Sequence, residues 1–130
     1  MMQNLVIEET KSVYLTPGVN FDANTGKCWI TGESYLEHTT EFYGPLEEWI
    51  KTYTKKARKA IELNLKLDYF NTSSQRSILE LLYILKDYYT AGGQVILNWY
   101  YQRNDQDMLM EAEDYAADLE MEMNLIAYEK

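Results

Sequence analysis

Four small polar residues in a row, Asn71-Thr72-Ser73-Ser74, stand where a strand-like pattern gives way to a helix-like one. Hydroxyls at such a junction could do three things. They could cap the helix: Thr72 followed by Gln75 has the spacing of a capping box, in which each side chain satisfies a free backbone N–H near the other. They could accept a phosphate, because the free N–H groups and positive dipole end of a helix start favour an anion. The same turn could instead hold the anionic group of a small ligand or nucleotide. A cap is worth about 1 kcal/mol. A phosphate adds roughly two negative charges that a partner can read. Spacing does not choose among these roles, and capping does not exclude modification.

Other chemistry is thin. His38 is the sole histidine, and no HxxxH or CxxC pattern stands with it to hold a metal. A small hydrolase would need Ser34 or Ser73 to work with His38, but no GxSxG elbow is present. No GxGxxG or P-loop cradles a phosphate. Asp107, Glu111, Asp114 and Asp118 form a carboxylate stripe, which reads as a solvated helix face rather than a cation site. Cys28 reads as a small buried hydrophobe. The residues therefore point to no catalytic group, no metal and no cofactor, and to a protein that binds or is modified.

Composition narrows the partners. The 130 residues are 46% hydrophobic and 25% charged, which suits one folded domain spanning residues 1–130. A net charge of -9 argues against nucleic acid and anionic membrane surfaces. No apolar run reaches membrane-spanning length, and a single cysteine fits a reducing compartment, so a cytoplasmic protein is expected.

The elements that must position the hydroxyl turn can be read from periodicity. Ile61, Leu63, Leu65, Leu67 and Tyr69 alternate with Glu62, Asn64, Lys66 and Asp68, which predicts a strand with one buried and one wet face. Ile78, Leu81, Leu82, Leu85 and Tyr89 then recur at helical spacing, and Gly92-Gly93 closes that run. Upstream, residues 1–11 show no clear period and read as loose at their start. Short strands are expected over Ser12–Leu15, Val19–Asp22 and Lys27–Thr31, the last two joined by a tight Asn24-Thr25-Gly26 turn. Gly32-Glu33-Ser34-Tyr35 then leaves the hairpin.

A first helix with Phe42, Leu46, Trp49, Ile50 and Tyr53 on one face should begin near Gly44 or Pro45, since proline fits a first turn. Lys51, Lys55, Lys56, Arg58 and Lys59 crowd its end and complement the dipole. A strand over Gln94–Tyr101, a helix over Asp105–Leu119 and a short edge strand over Asn124–Tyr128 complete the chain. Strand–helix alternation predicts parallel later strands with helical crossovers. The expected class is α/β: a two-layer sandwich, with a mixed sheet, an N-terminal hairpin and helices mainly on one face.

Several of these stretches together resemble the SiaC family of bacterial regulatory phosphoproteins, whose fold is similar to STAS domains and anti-sigma-factor antagonists. The resemblance lies in Asn71-Thr72-Ser73-Ser74, in Gly32-Glu33-Ser34-Tyr35, in Trp49, in Trp99-Tyr100-Tyr101 and in Glu113-Asp114-Tyr115. It spans Thr16 to Leu119. The chain departs from the family pattern at Leu36, where a proline often stands, and at Met121-Glu122-Met123-Asn124, where a Pro-Phe pair is common.

The resemblance implies partner switching. A Ser/Thr kinase would phosphorylate Thr72 and a metal-dependent phosphatase would remove the phosphate. The unmodified form would bind an effector, with a diguanylate cyclase as the family's example, in cyclic-di-GMP and biofilm signalling. Asp68, Asn71, Ser73, Ser74, Gln75 and Gly32-Glu33-Ser34-Tyr35 would then surround the phosphosite or meet a partner. A STAS-like small-ligand or nucleotide sensor using the same helix start is the competing expectation.

Overall fold

The computed structural model describes residues 2–129. In chain order the elements are β1 Leu5–Ile7, β2 Thr10–Lys11, β3 Leu15–Thr16, β4 Gly18–Phe21, β5 Lys27–Ser34, α1 Thr39–Lys56, β6 Ile61–Phe70, α2 Thr72–Thr90, β7 Val95–Gln102, α3 Gln106–Leu119 and β8 Asn124–Tyr128. One sheet runs β1-β4-β5-β6-β7-β8, and β2 and β3 form a separate small hairpin. The pairs β1–β4 and β4–β5 are antiparallel, whereas β5 through β8 are parallel. The parallel strands lie in sequence order, so each crossover steps the same way across the sheet. Right-handed crossovers that all step one way put α1, α2 and α3 on the same face. The result is the two-layer α/β sandwich with a mixed sheet that the alternation predicts.

The core lies between the layers. Ile61, Leu63, Leu65 and Leu67 of β6 are buried against Ile78, Leu81, Leu82 and Leu85 of α2. Tyr69 does not continue that row. It is exposed and lies beside Tyr35, ring centroids 6.2 Å apart, where the β5–β6 register shifts between Gly32 and Glu33. Tyr89 is likewise exposed near the end of α2. Gly92 closes α2 with a φ of 100°, a left-handed value that a side chain would strain.

Four boundaries differ from the sequence reading. The strand expected over Ser12–Leu15 is mostly turn: residues 12–14 bend between β2 and β3, and only Leu15 lies in a strand. The described part of residues 1–11 is not loose: β1 pairs with β4, and Trp49 Nε1 donates to the Gln3 carbonyl at 2.9 Å. A three-residue strand is too short for its period to show. Helix α1 begins at Thr39, ahead of Pro45, which sits inside it. Only the Glu41 carbonyl loses a helical donor to that proline, and both residues are exposed, so water can take the bond. Fully buried Tyr43 replaces Phe42 on the core-facing stripe. Strand β5 runs on through Ser34, so Gly32-Glu33-Ser34 belongs to the sheet.

The face away from the helices is polar but not uniformly wet. Trp29 of β5 and Tyr100 of β7 bring their rings to 5.3 Å, and β6 is the strand between them. The two rings therefore meet over β6, where Asn64 is fully buried. Asn64 Nδ2 donates to Glu62 Oε2 at 2.9 Å, Asn98 Nδ2 donates to Asn64 Oδ1 at 2.9 Å, and Asn124 Nδ2 to Asn98 Oδ1 at 2.8 Å. A row of three asparagines thus links β6, β7 and β8. Lys66, one pleat further along, is exposed.

The two positions should respond differently to truncation. Lys66→Ala should change stability by no more than about 0.5 kcal/mol. Asn64→Ala should cost about 1–3 kcal/mol, because it removes a fully buried, hydrogen-bonded amide and leaves the half-buried Asn98 amide without its acceptor. Leu65→Ala should cost about 2–5 kcal/mol through a cavity. Urea denaturation ranks the three; an Asn64→Ala cost no larger than that of Lys66→Ala would contradict the burial of Asn64.

Candidate functional site

The start of α2 is tied to the chain leaving β5. Asn71, extended at φ -85° and ψ 176°, is the N-cap. Its Oδ1 accepts from the Ser74 N–H at 3.1 Å and its Nδ2 donates to the Leu36 carbonyl at 2.8 Å. Ser73 Oγ donates to the same carbonyl at 2.7 Å. The Asn71 N–H reaches the Ser34 carbonyl at 3.0 Å. Beneath them, Ser34 Oγ lies 2.7 Å from both Ser74 Oγ and Tyr43 OH. All three hydroxyl residues are fully buried. Burial pushes the Tyr43 phenol up to about 12, against the opposing pull of the two serine hydroxyls.

Thr72 is therefore not the cap. It is the first residue of α2, it is exposed, and its hydroxyl takes part in none of these hydrogen bonds. Nor does Gln75 complete a capping box: its Nε2 donates across to Glu111 Oε2 on α3 at 2.8 Å. Of the hydroxyls in the turn, Ser74 is sealed in the core and Ser73 is engaged with Leu36. Thr72 is the one exposed hydroxyl of the three; Ser73 is half-buried and borders the same groove with its hydroxyl bonded.

Thr72 opens onto a groove of about 630 Å³ between α2 and α3. Leu79 and the ring of Tyr115 give it apolar surface, and Tyr115 OH donates to the Gln75 carbonyl at 2.8 Å. Burial raises the Tyr115 phenol still further than that of Tyr43. Glu111, Asp114 and Asp118 line the α3 side, and among the described residues Arg76 is the only cation in the lining. Three members of the carboxylate stripe thus line the same groove as Thr72; Asp107 does not. Among the described residues no three His, Cys, Asp or Glu side chains gather as a metal site.

A family model described as SiaC family regulatory phosphoprotein matches residues 7–128. The chain belongs to that family.

Relatives and solved structures agree with the assignment. An uncharacterized protein of Pseudomonas aeruginosa strain UCBPP-PA14 is 29% identical over 129 residues, which is 99% of this chain and 100% of the relative. The crystal structure of the diguanylate cyclase SiaD in complex with its activator SiaC, from P. aeruginosa, is similar with a TM-score of 0.88 at 29% identity, over 95% of this chain and 99% of the matched one. Apo-SiaC from the same organism is similar with a TM-score of 0.84 at 28% identity, over 97% and 98% of the two chains. This protein is thus a SiaC-family regulatory protein, with a mixed α/β fold shared with the SiaC structures.

Within this SiaC-family fold the sequence-derived residues fall into two groups. Asn71, Ser73, Ser74, Gln75 and Ser34 are brought together around the start of α2. Asp68, Gly32 and Glu33 are not brought to the groove. They line a separate cleft with Lys66 and Tyr128, where Asp68 Oδ1 accepts from Tyr128 OH at 3.0 Å and Gln102 Nε2 at 3.1 Å. Asp68 belongs to the sheet face opposite the helices, so it is not the like charge beside Thr72 that sequence proximity implied. Tyr35 is exposed beside Tyr69.

His38 precedes α1 and is exposed, while Ser34 bonds Tyr43 and Ser74, so the hydrolase arrangement does not assemble. Sequence reasoning missed Tyr43, the Leu36 carbonyl and Arg76. The Thr72-to-Arg76 spacing of one helical turn was the available signal for the last.

Because Asn71 is the cap, Asn71→Ala should cost about 1–2 kcal/mol, and Thr72→Ala less than about 0.5 kcal/mol. Thermal melts of the two variants test the assignment, and a larger loss at Thr72 would reverse it. Tyr43 holds its proton more tightly folded than unfolded, where its value is near 10. Its contribution is whole below pH 10 and is lost as pH rises toward 12. The parent should therefore lose stability faster than Tyr43→Phe across that window in urea denaturation. Parallel curves would mean that the phenol is not held in a buried site.

Proposed function

We propose that this protein is a non-enzymatic, cytoplasmic phosphorylation switch, acting as one domain, in which Thr72 is the phosphoacceptor. A cognate Ser/Thr kinase adds the phosphate and a metal-dependent phosphatase removes it. The unmodified form binds and activates a downstream effector, a diguanylate cyclase by analogy with the SiaC–SiaD complex, which links the switch to cyclic-di-GMP and biofilm control. The observation that carries this reading is the division of labour at the turn. Asn71, Ser73 and Ser74 hold the fold, and Thr72 is the exposed hydroxyl outside that network.

The charge around Thr72 favours a switch over a sensor of free anions. Glu111, Asp114 and Asp118 line the adjoining groove and repel an unattached phosphate or nucleotide. A covalent phosphate is placed there by the kinase regardless. It adds roughly two charges to a surface already negative. Moving an effector from 99% bound to 99% free takes about 5.5 kcal/mol of differential affinity, and truncating or crowding desolvated charges at interfaces has effects of about 2–5 kcal/mol apiece.

Because Thr72 does not cap, its variants separate switching from folding. Thr72→Ala and Thr72→Asp should both melt within a few degrees of the parent. In a pull-down with the purified cyclase, Thr72→Ala should bind like the unmodified parent and resist kinase treatment. Thr72→Asp should bind at least about tenfold more weakly, one carboxylate being a partial copy of a phosphate. Kinase-treated parent that still holds the cyclase as tightly as the untreated protein would remove the switch.

A further inference from the structure

We infer that Arg76 is the internal counter-ion of phosphorylated Thr72, so that the modified side chain is bound within its own helix. The inference rests on the reading of Thr72 as the phosphoacceptor and assigns the phosphate its binding partner. Thr72 and Arg76 are four residues apart on α2 and line the same groove. Side chains at that spacing are neighbours on a helix surface, and long helical side chains lean toward the N-terminus. Arg76 is paired with Glu80 one turn on, and its long side chain can swing back to reach Thr72.

Its present partner is a weak one. Arg76 Nε lies 3.8 Å from Glu80 Oε1, and the two side chains are 85% and 57% exposed. Glu80 stands C-terminal to the arginine, the less favourable order for an i, i+4 pair. A phosphomonoester offers more charge and a geometry that matches the guanidinium fork. Across the groove, Glu111, Asp114 and Asp118 repel the phosphate from the α3 side, and Glu111 is already held by Gln75. Among the described residues Arg76 is the one cation lining that space. Phosphorylation thus moves Arg76 from Glu80 to residue 72 and withdraws the only positive charge that the unmodified groove presents to a partner.

The test is a ³¹P NMR titration of the full chain with phosphothreonine incorporated at position 72 during synthesis, at low ionic strength. The charged groups of the groove are Arg76 on α2 and Glu111, Asp114 and Asp118 on α3; outside its lining Glu80 pairs with Arg76, and Glu47 of α1 feels the charge of Glu80. An adjacent guanidinium favours the dianion, so Arg76→Gln should raise the second phosphate pKa by about half a unit or more. Arg103→Gln removes the same charge from an exposed pair with Glu129 and should leave the value unchanged. No shift in Arg76→Gln, or an equal shift in Arg103→Gln, overturns the inference. Synthesis makes the result independent of the kinase. A kinase that ignores Thr72 sinks the switch while the titration still stands, and a null titration sinks the Arg76 pair while leaving the switch intact.

Discussion

The carbonyl of Leu36 holds two donors from the start of α2, Asn71 Nδ2 and Ser73 Oγ, and this fork organises the whole candidate site. It exists because β5 and β6 stay paired in parallel to their ends, past the register shift between Gly32 and Glu33, with Ser34 opposite Phe70. The chain leaving β5 therefore lies beside the helix start that follows β6. Ser34 then reaches down to Ser74 and Tyr43, so β5, α1 and α2 share one buried hydroxyl cluster. Each such bond contributes about 1 kcal/mol net, but leaving one buried partner unsatisfied costs about 1–3 kcal/mol. That asymmetry fixes the backbone at residue 71 and leaves the next residue outward. The exposure of Thr72 is a consequence of what its neighbours are bound to.

How much of this was legible depended on whether the signal was periodic. β6, α2, β7 and α3 follow from spacing of two or about 3.6, and the parallel order follows from their alternation, whereas the short β8 carries no period of its own. Local choices between equivalent residues did not. Asn71 and Thr72 are both good caps, and composition does not say which one first takes helical angles. Gln75 had the spacing of a capping box, but Glu111, distant in sequence, offered it a better partner. Pro45 marked a plausible first turn, yet the helix extends ahead of it because only one exposed carbonyl loses a donor. Asn64 sits on the polar side of an alternating strand, and it is buried only because rings from the two flanking strands meet above it. These outcomes depend on contacts between elements, which a one-dimensional pattern does not contain.

The resemblance read from scattered motifs and the physical reading of the turn carry different parts of the account. The family assignment covers nearly the whole chain, and a similar structure is that of an activator bound to its cyclase. The groove adds what the family name leaves open. An exposed hydroxyl stands at the mouth of a cleft with three carboxylates, one arginine and apolar surface. Such a surface changes its charge pattern sharply on one modification while the buried network keeps the backbone in place. A switch of this kind alters recognition without needing to alter the fold.

The central claim is that hydrogen bonding within the turn leaves a single hydroxyl available for modification. Site-resolved mass spectrometry of the protein after treatment with its cognate kinase tests that claim most directly. The account predicts phosphate on Thr72 alone and none on Ser73 or Ser74, with labelling abolished in Thr72→Ala. Phosphate on Ser73 or Ser74 of the folded protein, or undiminished labelling of Thr72→Ala, would contradict it.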